Sequence, residues 1–104
     1  MRGRTVLLGT LALASGCAAP LVPHVQPADV ERLAGRYPDV SLAQLRRGRA
    51  LYLSRCTTCH ALIQPAAYSA AEWPKHVSEM SERAHLGNDE QLVVRYLLTQ
   101  TLNP

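Results

Sequence analysis

Apolar and polar residues along this chain fall into three stretches with helical periodicity, preceded by two without it. The first helical stretch opens at Ser41 with Gln44 three residues on, a pairing that satisfies two of the free amides at a helix start. Leu45, Gly48 and Tyr52 follow at steps of three and four, which sets them along one stripe, and the helix is expected to end near Arg55. The second stretch opens at Ser69, with Glu72 completing the same pairing, or around Trp73, with Pro74 as its first helical residue. Trp73, Val77, Met80 and Ala84 then share a face. The third begins at Asn88, and Asp89, Glu90 and Gln91 occupy a first turn where acids suit the helix dipole. Its buried stripe is Leu92, Val93, Tyr96 and Leu97. No segment alternates like a strand between turn residues. The pattern predicts an all-α fold.

The two stretches before Ser41 read differently. Met1-Arg2-Gly3-Arg4 is basic, and Thr5 to Ser15 is apolar but too short to span a bilayer, as in an export signal. Leu13-Ala14-Ser15-Gly16-Cys17 resembles the lipobox of bacterial lipoproteins. That resemblance implies cleavage before Cys17, a diacylglycerol on its sulfur and acylation of the new amino group. Three acyl chains hold a protein stably at a membrane. The other reading is an ordinary secretory signal with an incidental cysteine. Ala18 to Val40 carries Pro20, Pro23, Pro27 and Pro38 and few large apolar residues, and reads mostly as a tether, with His24 inert in it. It has room for one short helical turn around Asp29 to Leu33. The expected organisation is a signal at 1–16, a lipidated cysteine and tether at 17–40, and a folded domain at 41–104. The formal net charge of +3 includes Arg2 and Arg4. Removing these from eleven basic residues leaves nine against eight acids, which gives no support for nucleic-acid binding.

The folded unit is small and contains no phenylalanine. Domains of this size bury little of their own surface and usually need a metal, disulfides or a cofactor. The run Cys56-Thr57-Thr58-Cys59-His60 names the cofactor. Two thiols three apart, followed at once by an imidazole, are what covalent attachment of a c-type haem requires. Each thiol adds to a haem vinyl group and His60 coordinates the iron from one face. A CxxC alone also serves redox dithiols and zinc sites, but a zinc site here lacks a fourth ligand and a second CxxC. With Cys17 lipidated and Cys56 and Cys59 on haem, no cysteine remains for a disulfide, although export leads to an oxidising compartment.

Gly-Arg-Ala-Leu-Tyr at 48–52, Cys56 to His60, Met80 and the aromatic Tyr96 on the last helix together resemble a class I cytochrome c domain over about Ser41 to Leu102. The resemblance implies a small all-α cytochrome c fold of about three helices around one covalent haem c. It implies a close crossing of the first and last helices at Gly48 and Tyr96, and an electron carrier rather than an enzyme. It also implies that a proline carbonyl after the motif, here Pro65, accepts from His60; plain loop punctuation is the other reading. Trp73 resembles the tryptophan that many such domains place against the haem and a propionate; a core aromatic with no special role is the alternative. The segment between His60 and Met80 is shorter than in larger members.

For the second axial position Met80 is the only methionine after the signal, and it shares a helical face with Trp73 and Val77. A thioether is a soft ligand that favours Fe(II). His76, one turn earlier, and His85 compete with it, and a vacant site is the third option. Arg83 or an arginine near Cys56 is placed to neutralise a propionate. Arg46, Arg47, Arg49 and Arg55 form either a solvated helix face or a docking patch for an acidic partner. The expectation is a monohaem, lipid-anchored cytochrome on the periplasmic side of a bacterial membrane, the outer one favoured because Ala18 follows Cys17. It passes single electrons between redox partner proteins. The rivals are a haem enzyme or gas sensor with an open distal site, and a thiol or zinc module.

Overall fold

The computed structural model describes residues 22–102, with Gly3 and Gly9 as isolated positions beside them. The export signal and Cys17 lie outside the described residues. The described chain is all-α: α1 (Pro27–Ala34), α2 (Leu42–Arg55), α3 (Trp73–Met80) and α4 (Glu90–Thr101), with 3-10 turns at Pro65–Ala67 and Gly87–Asp89. It holds no strand among the described residues.

α2 begins as its sequence dictates. The Gln44 amide donates to Ser41 Oγ and the Ser41 amide to Gln44 Oε1, both at 3.2 Å. Both start signals before α3 are realised in succession. Ser69 and Glu72 exchange the same pair of bonds, at 2.8 and 3.3 Å, in the turn that leads in. Pro74 then occupies the first turn, where a missing amide costs nothing. α4 starts later than Asn88, because Gly87–Asp89 first winds as a 3-10 turn.

α2 and α4 share the largest helix contact. Gly48 is buried at their crossing. A Cβ there would overlap the Leu92 carbonyl oxygen and stand 2.7 Å from its carbon and 3.1 Å from Tyr96 Cβ. The expected close approach of Gly48 to the last helix is therefore present, with the Leu92 backbone as the nearest surface. Leu33, Leu45, Val93, Tyr96, Leu97 and Leu98 are wholly buried around it, each worth about 1.5–3 kcal/mol. The helices thus close a core of packed side chains.

The segment before α2 corrects the reading as a tether. Val22, Val25, Leu33 and Val40 are buried in the core. Arg49 on α2 reaches across to this segment. Its Nε and Nη2 donate to the Val22 carbonyl at 3.3 and 3.0 Å, and Nε also donates to the Pro23 carbonyl at 3.1 Å. The Tyr96 hydroxyl donates to the same Pro23 carbonyl at 2.7 Å. Pro27 then starts α1, and buried Asp29 accepts from the Gln26 amide at 2.7 Å while pairing with Arg32. α1 packs on both α2 and α4. Farther on, Arg95 on α4 donates to Asp39 at 3.1 Å and lies 4.7 Å over the Tyr37 ring. The expected single turn at Asp29 to Leu33 is an eight-residue helix, and the domain begins near residue 22 instead of 41.

Candidate cofactor site

α2 delivers the CxxCH run at its C-terminus. Cys56 caps the helix with its amide on the Tyr52 carbonyl at 3.2 Å. The hydroxyls of Thr57 and Thr58 turn back onto the carbonyls of Leu53 and Arg55, at 2.6 and 3.1 Å. These bonds tie the spacer to the helix end and leave Cys59 and His60 facing solvent. Cys56 is half-buried, and burial raises its thiol above the ordinary range, so the side chain stays a protonated thiol at neutral pH.

Cys56, Cys59, His60 and Met80 line one cleft, together with Arg55, Arg83 and Ala84. Its cavity volume is about 90 Å³, and it opens to solvent. Ligand pockets span roughly 300–1,000 Å³, so it is the donor set and not the size of the cleft that bears on a cofactor. α2 supplies Arg55 and Cys56, the following turn Cys59 and His60, and the end of α3 Met80. Two thiols, an imidazole and a thioether are the donor set that haem attachment and soft iron ligation use. The residues present fit that group.

Of the three side chains expected to compete as a second iron ligand, one lines the cleft. Met80 lines it. His76 does not: its ring lies 3.9 Å from that of Tyr68 and meets Trp73 edge-on. His85 is exposed beyond α3 in the left-handed backbone region, with φ 53°. Tyr68 has no local sequence signal. It stands eight residues before His76, and only the fold stacks the two rings.

Trp73 does not line the cleft. It is 1% exposed, and its indole Nε1 donates to the Pro65 carbonyl at 2.8 Å. This corrects two expectations at once. An indole has a single donor, so here Pro65 and not a propionate receives it. The same bond takes the Pro65 carbonyl, while His60 Nδ1 lies 2.8 Å from the Ala61 carbonyl. Ala61 fixes the ring, and Pro65 anchors the tryptophan. Tyr52 meets Trp73 edge-on at 6.0 Å, and its buried hydroxyl donates to the Ile63 carbonyl. Two core aromatics therefore stitch the 61–68 loop to the helices, which holds α3 and Met80 opposite the end of α2. Desolvation raises the Tyr52 phenol far above its usual range, so it remains a donor.

The arginine run divides. Arg47 pairs with Asp89 at 3.1 Å, Arg49 holds the 22–23 carbonyls, and Arg46 and Arg55 are exposed. Arg55 and Arg83 rim the cleft without an ion pair among the described residues. Among the described residues no three His, Cys, Asp or Glu side chains converge on one point, as a zinc site would need. No described helix is long and apolar enough to cross a membrane. Comparison with known protein families, curated proteins and solved structures finds no match for this chain.

Proposed function

We propose that this protein is a monohaem c-type cytochrome that carries single electrons between redox partner proteins. It is held through lipidated Cys17 on the periplasmic face of a bacterial membrane, the outer membrane favoured. The observation that carries the reading is the meeting of both motif thiols, His60 and Met80 on one cleft. Cys56 and Cys59 would hold the haem through their sulfurs. His60 would offer Nε2 to the iron, with Nδ1 held by the Ala61 carbonyl, which fixes tautomer and ring plane. Met80 would offer its thioether as a second iron ligand, a soft donor that favours the reduced state. Arg55 and Arg83 offer guanidiniums to the propionates or to the surrounding field. When bound, the haem supplies the one-electron chemistry; the chain attaches it, orients it and keeps its ligands in place.

Acid–acetone treatment of the purified protein should leave the pigment on the polypeptide, and Cys56→Ala with Cys59→Ala should abolish it. Extractable haem, or zinc in its place, overturns the reading. The cleft is open to solvent, which favours one rival, a haem enzyme or gas sensor with an accessible distal site. Carbon monoxide decides between them. The electron carrier binds it poorly until Met80→Ala vacates the position, and His76→Ala and His85→Ala leave the spectrum unchanged.

A further inference from the structure

Four polar contacts fasten the chain just after the proposed lipidation point, and they change how far the domain can travel. Arg49 grips the carbonyls of Val22 and Pro23, and the Tyr96 hydroxyl takes Pro23 again. Val22 and Val25 are buried on either side, at 3% and 7% exposure. The segment is therefore part of the folded body. A tether from residue 17 to residue 40 would reach about 80 Å when extended, at 3.3–3.6 Å per residue. With residue 22 clamped, five residue steps separate it from Cys17, a reach of at most about 18 Å.

From this geometry we infer that the domain is seated at the surface of its own bilayer, the 22–25 segment acting as a clamp that turns a long tether into a short leash. The inference rests on the anchored reading of Cys17. The clamp residue Arg49 lies seven residues before Cys56 on α2, about 10 Å along the helix. The cleft is thus carried close to the headgroups, within reach of a redox partner embedded in or bound to the same membrane. A partner fixed on an opposing membrane lies beyond that reach.

The test places the lipidated full-length protein on supported bilayers of phosphatidylethanolamine and phosphatidylglycerol and reads the protein layer by neutron reflectometry. The wild type should show a layer no more than about 18 Å from the headgroups. Arg49→Met with Tyr96→Phe removes all four polar contacts, and Val22→Ser with Val25→Ser added to them removes the apolar ones; the combined variant should free the chain to Pro27, letting the layer move out to about 35 Å. Hydrogen exchange at the amides of 22–26 should accelerate in the same variant while those of α4 stay protected. A wild-type layer already spread beyond 18 Å overturns the clamp while leaving the anchor intact. So does a variant with unchanged layer and unchanged exchange. A protein that does not associate with the bilayer overturns the anchor, and the placement with it.

Discussion

The middle and the C-terminal end of α2 are built on opposite terms. Its middle, at Gly48, is pressed against the Leu92 carbonyl with no room for a methyl group, amid side chains that are wholly buried. Its C-terminal end, at Cys56, opens on a cleft whose donors are half-buried or exposed. The first region is held by packing that tolerates no added atom. The second is held by side-chain bonds to the backbone, from the Thr57 and Thr58 hydroxyls and between the His60 ring and the Ala61 carbonyl, and keeps its reactive groups accessible. One helix thus separates fold from chemistry: its buried face fixes the crossing, and its end presents the ligands without carrying the core.

The largest expected effect falls on the crossing. Gly48→Val places two methyl groups against backbone atoms that cannot rotate away. Overpacking of this kind costs about 1–3 kcal/mol, and the backbone contact puts this case at the upper end, near 3 kcal/mol. Urea unfolding followed by circular dichroism reads it as a lowered midpoint; a midpoint unchanged within error breaks the contrast.

A smaller effect separates the regions by pH. Burial pushes the Tyr96 phenol up to about 12, against an ordinary value of 10.0. Its folded-state value is raised, so the neutral form stabilises the fold fully below pH 10. That stability is lost as pH rises from about 10 towards 12, when the unfolded chain ionises first. Tyr96→Phe should reduce the slope in this range without abolishing it, because Tyr52, also raised by burial, loses its stabilisation over the same range and beyond. If the wild type and the variant lose stability in parallel between pH 10 and 12, Tyr96 does not carry the slope.

The smallest effect should come from the open end. Cys59→Ala and His60→Ala alter exposed side chains that pack against nothing in the core. In the haem-free chain each should change the unfolding free energy by no more than about 0.5 kcal/mol. A loss comparable to that of Gly48→Val would mean that the cleft, too, holds the fold together.

Much of this was readable in order along the chain. The Ser41–Gln44 pairing marks the start of α2 because both partners lie within one turn, and the Trp73–Val77 stripe marks the buried face of α3. The Gly48 contact could be anticipated because a glycine inside a helix loses stability that a close neighbour must offset. The clamp at 22–25 was not legible. Its prolines resemble those of a linker, and its partners Arg49 and Tyr96 lie 26 and 73 residues from Pro23. Pro27 did carry a signal, as proline suits a helix's first turn. The Trp73–Pro65 bond was not legible: the resemblance offered the Pro65 carbonyl to His60, with plain loop punctuation as the other reading, and sequence spacing cannot say which donor reaches a carbonyl first. That contest is decided by the burial of the indole beside Tyr52.

The chain contains one tryptophan, and its burial makes the molecule its own optical gauge. An indole at 1% exposure, shielded by Tyr52 and Tyr68, emits at the blue end of the tryptophan range. Released into water, the same indole emits to the red. A porphyrin in the neighbouring cleft would drain its excited state by energy transfer and darken it. With the proposed haem attached, unfolded chain, folded apoprotein and pigmented protein would give three distinguishable signals in a single emission channel, read without a label.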